Sequence, residues 1–314
     1  MESMFTEGLR QKNPRAPGGG VGQNPGTIQG HGGGTGNEQN FHEFNLGEFL
    51  SRETSGLRRE GRTPKPIGVL MTYLGFHLAF NLPVLVVLFF LSGRGIWPME
   101  MVLVTAGVLG IVVAFTSPWD NWAVSRGIWD FPPERVRFRV GRLPIEEYAF
   151  FIIQSLEVMW LSWILLRWVE PPHGAPQPRW IGEPEVLRQI AFLFIVWVGL
   201  GVALQKWPGR EKRIHYAWHL FYWFLPVVAL QWIVAGPMLR AYAFHVWVPT
   251  LTIGTYLCLA DWYAIRQGIW FFDPKQITGM KIGGIMPWEE AAFFYITSLL
   301  VSQTFLILLP AGLR

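Results

Sequence analysis

The chain is predicted to be an all-α membrane protein: about seven transmembrane helices in two parallel three-helix repeats plus a connector helix, with a disordered N-terminal tail. Three observations predict this. Apolar runs long enough to cross a bilayer recur at 67–91, 99–117, 144–168, 186–204, 215–235, 241–259 and 287–309. The composition suits lipid, with 51% hydrophobic residues, 15% charged residues and 17 Trp. Two stretches also nearly repeat each other. Residues 118–155 read PWDNWAVSRGIWDFPPERVRFRVGRLPIEEYAFFIIQS, and residues 259–298 read LADWYAIRQGIWFFDPKQITGMKIGGIMPWEEAAFFYITS. Asp120 matches Asp261, Trp129 matches Trp270, Pro144 matches Pro287, and Glu146-Glu147 matches Glu289-Glu290. Acids and aromatics that recur at near-fixed spacing indicate a duplicated site, because a drifting repeat keeps only its hydrophobic pattern.

The elements follow in order. Residues 1–65 are Gly-rich around 18–22 and 30–36 and broken by Pro14, Pro17 and Pro25. Such a segment cannot bury enough apolar surface to order itself. A short interfacial helix is conceivable at 41–50, and no dinucleotide fingerprint is present. Residues 66–170 form the first repeat, 171–213 the connector with one span, and 214–314 the second repeat. Helix one carries Tyr73, His77 and Pro83, and helix five carries Tyr216, His219 and Pro226, so the repeat extends to all three helices of each half. One connector span gives both halves the same orientation. Gly127 and Gly268 suit a left-handed helix stop. Val136, Phe138 and Val140 alternate as in a short hairpin. Pro144 and Pro287 restart a helix at its first position.

The charge distribution sets the topology. Sixteen Lys and Arg flank the spans on one side, including Arg58, Arg59, Arg62, Lys65, Lys206, Arg210, Lys212 and Arg213, against six on the other. The positive-inside rule puts the amino terminus and both repeated loops in the cytoplasm and the carboxy terminus opposite, in a multi-pass protein of the cell inner membrane. These basic loops read as topology signals rather than as a nucleic-acid surface. No short apolar stretch precedes the first span, so no cleavable signal is expected. The single cysteine, Cys258, excludes an internal disulfide and is expected to be a small buried residue.

The chemistry is expected at the repeated acids. Pro144-Ile-Glu-Glu and Pro287-Trp-Glu-Glu put Glu146, Glu147, Glu289 and Glu290 in first helical turns beside lipid, where ionisable groups are costly. Dipole compensation accounts for one acid, not for four placed alike. The helix end favours a carboxylate, whereas a proton donor must stay protonated; burial and a neighbouring acid favour the protonated form. Adjacent glutamates point about 100° apart, so one can face the bundle and the other the loop. Glu146, Phe150, Ile153 and Glu157 share one stripe, and Glu289, Phe293 and Ile296 the matching one. A carboxylic acid under an aromatic ring suits carbocation chemistry: the acid protonates an alkene and the ring face stabilises the cation. Asp120 and Asp261 lie near helix carboxy ends, where a negative charge needs a partner; ion pairs with Arg126 and Arg266 are one solution. Asn81 and His215 read as helix glue, and His77 and His219 as candidates for a proton relay or for orienting an acid. The catalytic candidates are therefore Glu146 or Glu289 as the acid, with neighbouring Glu147 or Glu290 as base or as the partner that keeps it protonated, and Asp120 and Asp261 in second rank. The substrate-contact candidates are Phe150, Phe293, Trp129, Trp270, His77 and His219. No metal motif, phosphate loop or nucleophile elbow occurs, and no cofactor is expected.

The strings G-I-W, F-D-P-K, I-G-G and P-W-E-E-A-x-F-F of the second copy, with G-I-W, P-I-E-E-Y-x-F-F and Y-L-G-F-H of the first, resemble the small membrane lycopene cyclases. That family includes two-subunit bacterial cyclases and the cyclase half of fungal cyclase–phytoene synthase fusions. The resemblance covers about 67–309, and the chain is similar to a fused form with both subunits in one polypeptide. It implies closure of the linear ends of lycopene to β-rings through γ-carotene, with no net redox change and no flavin. It also implies a hydrophobic carotenoid drawn from the bilayer, membrane lipid and other carotenoid-pathway enzymes as partners. Ile145, Trp288 and Pro132 depart from the family pattern, which leaves ring type and one-end or two-end action open. Three rivals are a carotenoid hydratase or long-chain cyclase, a proton-coupled transporter, and a carotenoid-binding scaffold. A transporter would place its polar residues at the bilayer midplane, whereas these acids lie at the helix ends.

Overall fold

The computed structural model describes residues 71–93, 97–170, 172–205 and 215–314. The expected tail, the basic residues at 58–65 and 206–213, and the start of helix one lie outside the described residues. Within them are seven helices long and apolar enough to span a membrane. They are α1 (Tyr73–Leu91), α2 (Met99–Ser125), α3 (Ile145–Trp168), α4 (Pro184–Gln205), α5 (His215–Ala241), α6 (Ala243–Arg266) and α7 (Trp288–Leu308).

Local chemistry explains the boundaries. Thr72 caps α1, its hydroxyl accepting the Gly75 N–H at 3.1 Å. Pro83 has no N–H to continue the ladder, and the preceding turn, His77–Asn81, widens to a π-helix. Helix α2 runs to Ser125 rather than ending at 117. Ser117 and Asn121 side chains bond the carbonyls of Val113 and Ser117, so polar groups around Pro118 are satisfied in place. Helix α5 likewise continues through Pro226 and Pro237. At the far ends of α2 and α6, Gly127 and Gly268 both adopt φ 66°, as their spacing predicts. Ile128 N–H reaches the Ala123 carbonyl and Ile269 N–H the Ala264 carbonyl, which closes each helix and turns the chain back.

Burial grades from centre to rim. In α3, 67% of the apolar window is buried, and in α4 only 6%. Helix α3 packs on α1, α2, α6 and α7, while α7 packs on α5, α6, α2 and α3. Each third helix thus rests on the second helix of the other half. A polar seam joins them: Gln154 donates to Thr297 at 2.8 Å, and Ser162 meets Ser302 at 3.5 Å. Helix α4 packs against α5 and presents Phe192 and Ile195 outward, an arrangement suited to lipid. Cys258 is half-buried rather than fully buried.

Helices α6 and α7 approach closely at Gly254, where an added Cβ would lie 2.7 Å from the Tyr295 ring. The Tyr295 hydroxyl is tied to Thr255 at 2.8 Å, so the ring cannot simply move aside. Gly254→Ala is expected to destabilise the fold by about 1–3 kcal/mol, read as a lowered melting temperature in detergent.

The loops are short strand pairs. The predicted first hairpin forms between β2 (Arg139–Val140) and β3 (Leu143–Pro144). Its counterpart pairs β5 (Lys281–Ile282) with β6 (Met286–Pro287). Between the loops, β1 (Trp129–Asp130) pairs antiparallel with β4 (Phe271–Phe272), Trp129 opposite Phe272. The two repeated loops therefore lie on one side of the bundle and are bonded to each other.

Candidate active site

The turns after α2 and α6 fold two tryptophans back onto two aspartates. Trp270 donates its indole N–H to Asp261 at 2.9 Å, and the Trp129 side chain bonds Asp120 in the same way. Both aspartates are buried. The expected ion pairs do not form: Arg126 and Arg266 are exposed and lie over the rings of Trp122 and Trp262. The indole N–H groups, not guanidinium groups, are the aspartates' partners.

The start of α3 and α7 places the glutamates. Pro144 and Pro287 stand at the N-cap, one residue ahead of the expected first helical position, in extended geometry that ends β3 and β6. The following glutamates diverge around the helix. Glu146 accepts the Arg137 backbone N–H at 3.0 Å, and Glu289 accepts that of Thr278 at 2.6 Å. Glu147 accepts the Tyr73 hydroxyl at 2.9 Å, and Glu290 accepts that of Tyr216 at 2.5 Å. The first glutamate of each pair pins its loop; the second turns inward.

Asp120, Glu147, Asp261 and Glu290 line a single cavity of about 40 Å³. Its walls are aromatic. Trp129, Trp270, Phe150 and Phe293 line it, as do Trp119, Phe131 and Phe272. Tyr73 stacks on Phe131 at 5.7 Å, Tyr216 on Phe272 at 5.9 Å, and Trp119 on Phe293 at 5.7 Å. Among the described residues, no Lys or Arg lines the cavity. Four like charges in a buried space with no described cation beside them are too unfavourable to coexist, so the cluster holds protons. Glu146 and Glu289 stand behind the lining rather than in it.

The two histidines are not equivalent. With Tyr73 aligned to Tyr216 and Pro83 to Pro226, His77 falls opposite Leu220 and His219 opposite Phe76. His77 donates Nε2–H to the Glu146 carbonyl and accepts from Asn81, each at 2.9 Å, which fixes a neutral tautomer behind the acid-bearing turn. The His219 ring lies 3.8 Å from Trp122, away from the cavity lining. His215 meets Gln276 at 2.9 Å and stands edge-on to the Trp122 ring at 5.8 Å, so it ties α5 both to a loop and to α2. Glu157 is fully buried in α3, outside the cavity, and neither carboxylate oxygen has a partner among the described residues; the site makes no use of it. Sequence reasoning did not single out Trp119, Phe131 or Phe272, although Phe131 and Phe272 share the offset of the paired tryptophans. No group of metal-ligating side chains occurs among the described residues.

This geometry sets an effect for the outer glutamates. Gln at position 146 or 289 keeps an oxygen for the loop N–H, so activity is expected to fall by no more than about tenfold, from weakening one charge-assisted hydrogen bond. Glu146→Ala, which removes the acceptor, should cost more. Initial rates per amount of membrane protein compare the two.

Among the described residues, a bundle of seven helices long and apolar enough to span a membrane encloses an aromatic-walled cluster of four carboxyls, the arrangement of a membrane protein with a buried acidic site. The chain is 36% identical over 201 residues to the lycopene beta-cyclase of Halobacterium salinarum, a match covering 62% of this chain and 78% of that protein. It belongs to the lycopene cyclase family. It is also 33% identical over 234 residues to the bifunctional lycopene cyclase/phytoene synthase of Phycomyces blakesleeanus, and 32% identical over 254 residues to that of Sporisorium reilianum. Those matches cover 72% and 75% of this chain, which spans 37% and 34% of the two fungal proteins. No family model matches, and no solved structure matches.

Proposed function

We propose that this chain is a lycopene β-cyclase that converts lycopene through γ-carotene to β-carotene. The observation that carries the reading is the single cavity in which two Asp–Trp pairs and two Glu–Tyr pairs face one another between aromatic rings. A protonated carboxyl of the cluster gives its proton to the terminal double bond. The tertiary cation is attacked by the next double bond, which closes a six-membered ring. A carboxylate of the cluster then removes a proton to set the ring double bond, so atoms and electrons balance without a cofactor. The faces of Trp119, Trp129, Trp270 and Phe293 stabilise the passing cation. Glu147, Glu290, Asp120 and Asp261 are the acid–base set. Tyr73 and Tyr216 orient the two glutamates, and Glu146, Glu289 and His77 position the turns that carry them.

The substrate enters from the bilayer, the only phase that dissolves so long a hydrocarbon. The chain divides into repeats over 66–170 and 214–314 joined by 171–213. The cytoplasmic amino terminus and the opposite carboxy terminus are supported by the sixteen-to-six excess of Lys and Arg, and the cell inner membrane is the expected location. Other enzymes of the carotenoid pathway are the expected membrane neighbours.

Expression in a lycopene-making bacterium tests the reading. Extracted pigment should shift from lycopene to cyclic carotenoids. Unchanged lycopene, with the protein present in the membrane, would rule it out.

A further inference from the structure

We infer that Arg135 and Gln276 form a reciprocal clasp that seals the cavity against water and so decides whether the cation closes to a ring or is hydrated; this rests on the cyclase reading above. The two residues stand at equivalent places in the two loops, with the same offset that relates Asp120 to Asp261 and Trp129 to Trp270. They differ in type, so the repeat pattern of the sequence does not mark them. Both are buried.

Each reaches across to the other half. Arg135 donates to the Gln267 carbonyl, at the end of α6, at 2.9 Å, and to the Met71 carbonyl at 2.7 Å. Gln276 donates to the Arg126 and Gly127 carbonyls, at the end of α2, at 3.0 and 2.8 Å. Its backbone carbonyl accepts the Tyr216 N–H at 3.0 Å. Gln267 and Arg126 are themselves equivalent positions. A helix end leaves carbonyls without internal partners and carries partial negative charge, so a buried donor there is doubly favoured. The left-handed glycines stand beside the two donors: a Cβ on Gly268 would be in ordinary contact with the Arg135 guanidinium at 4.0 Å, and one on Gly127 with the Gln276 amide at 3.9 Å, so it is the φ of 66° and not lack of space that calls for glycine.

Between the two crossings lies the β1–β4 pair. Its Trp129 and Phe272, with neighbouring Trp270 and Phe131, form the loop-side wall of the cavity. Beyond that wall the loop surface is exposed and mixed, with Glu134, Arg137 and Arg142 outward beside exposed Phe138, Val140, Met280 and Ile282. The aromatic lid is thus a thin partition between a cation-forming site and water, and the clasp holds its two strands in register. Water reaching the tertiary cation forms a carbon–oxygen bond, and the oxonium returns a proton to a carboxylate of the cluster. The product is the acyclic tertiary alcohol, the substrate plus one water, with no redox change. Ring closure needs that water excluded.

The test is product partition in lycopene-making cells for wild type, Arg135→Met, Gln276→Leu and Arg135→Gln, with heavy-oxygen water to label the hydroxyl. Arg135→Met and Gln276→Leu should each raise the ratio of labelled alcohol to rings by about tenfold, the response to losing a buried hydrogen bond that holds a closed state. Arg135→Gln, which installs the amide already used at the equivalent position, should keep the wild-type ratio. Less ring with no alcohol in both Met and Leu variants, at wild-type membrane abundance, would overturn the clasp and leave cyclisation standing. Should Arg135→Met fail to accumulate, Gln276→Leu, which removes the bonds to the Arg126 and Gly127 carbonyls together with those to Asp273 and His215 but buries no charge of its own, decides. A wild-type chain that forms no ring overturns the cyclase reading itself, and is seen before any variant is compared.

Discussion

Glu147→Gln and Glu290→Gln are each expected to lower ring closure by about 10²–10⁴-fold, the usual contribution of a positioned general acid or base. The substitution isolates the proton. Gln keeps the length of the side chain and an oxygen that can accept the Tyr73 or Tyr216 hydroxyl, so the cavity wall stays in place. Only the exchangeable carboxyl proton is lost. Because both glutamates open onto the same cavity, each single variant should be nearly inactive rather than half-active. The measurement is cyclic carotenoid formed per amount of membrane protein. Two variants that each keep a large part of the activity would mean that the two halves act as separate centres. Full activity in both would remove these residues from the mechanism.

The second large effect is expected at the aspartates. Asp120→Asn and Asp261→Asn should each reduce turnover by about 10²–10³-fold, the scale seen when one preorganised electrostatic partner of a transition state is removed. Asn can still accept the indole N–H of Trp129 or Trp270, so the loss is of charge rather than of shape. Stability should move the other way. Removing one of four carboxyls from a cavity with no Lys or Arg among its described lining residues relieves repulsion and desolvation, so these variants should melt no lower than wild type in detergent. A parallel loss of activity and melting temperature would instead make the aspartates structural.

The seven spans, the matched loops and the left-handed glycines were all legible in the sequence, because each is a local property: length of an apolar run, spacing of a motif, freedom at φ above zero. The recurrence of acids near aromatics was legible, but their partners were not: the aspartates were expected to pair with Arg126 and Arg266, and Asp261 instead accepts the Trp270 indole N–H while Glu147 and Glu290 accept Tyr hydroxyls. The direction of each glutamate was not. Two adjacent carboxyls on a first helical turn look alike in sequence, and only the loop N–H of Arg137 or Thr278 and the Tyr73 or Tyr216 hydroxyl sort them. The histidines misled for a related reason. A one-residue difference in their distance from the leading Tyr reads as minor in a string, yet on a helix it is about 100° of rotation. The Arg137 backbone and the Arg135 side chain belong to a stretch that counts only as positive charge until the chain is folded. Helix ends were missed where the apolar run stopped short of the helix: α2 continues past 117 to Ser125 and α5 past 235 to Ala241.

The loop-to-loop strand pair of Trp129 and Phe272 carries a consequence for how such a chain can arise. Two separate three-pass units that insert alike meet side by side with no further device. Once they are tethered end to end, three crossings deliver the second unit upside down, with its carboxyls about 30 Å away at the opposite leaflet. An even number of passes before the second unit restores parity. Helix α4, the least buried of the seven spans, supplies it. Its job needs only a greasy length, not a partner, which makes it the part of the molecule most free to drift.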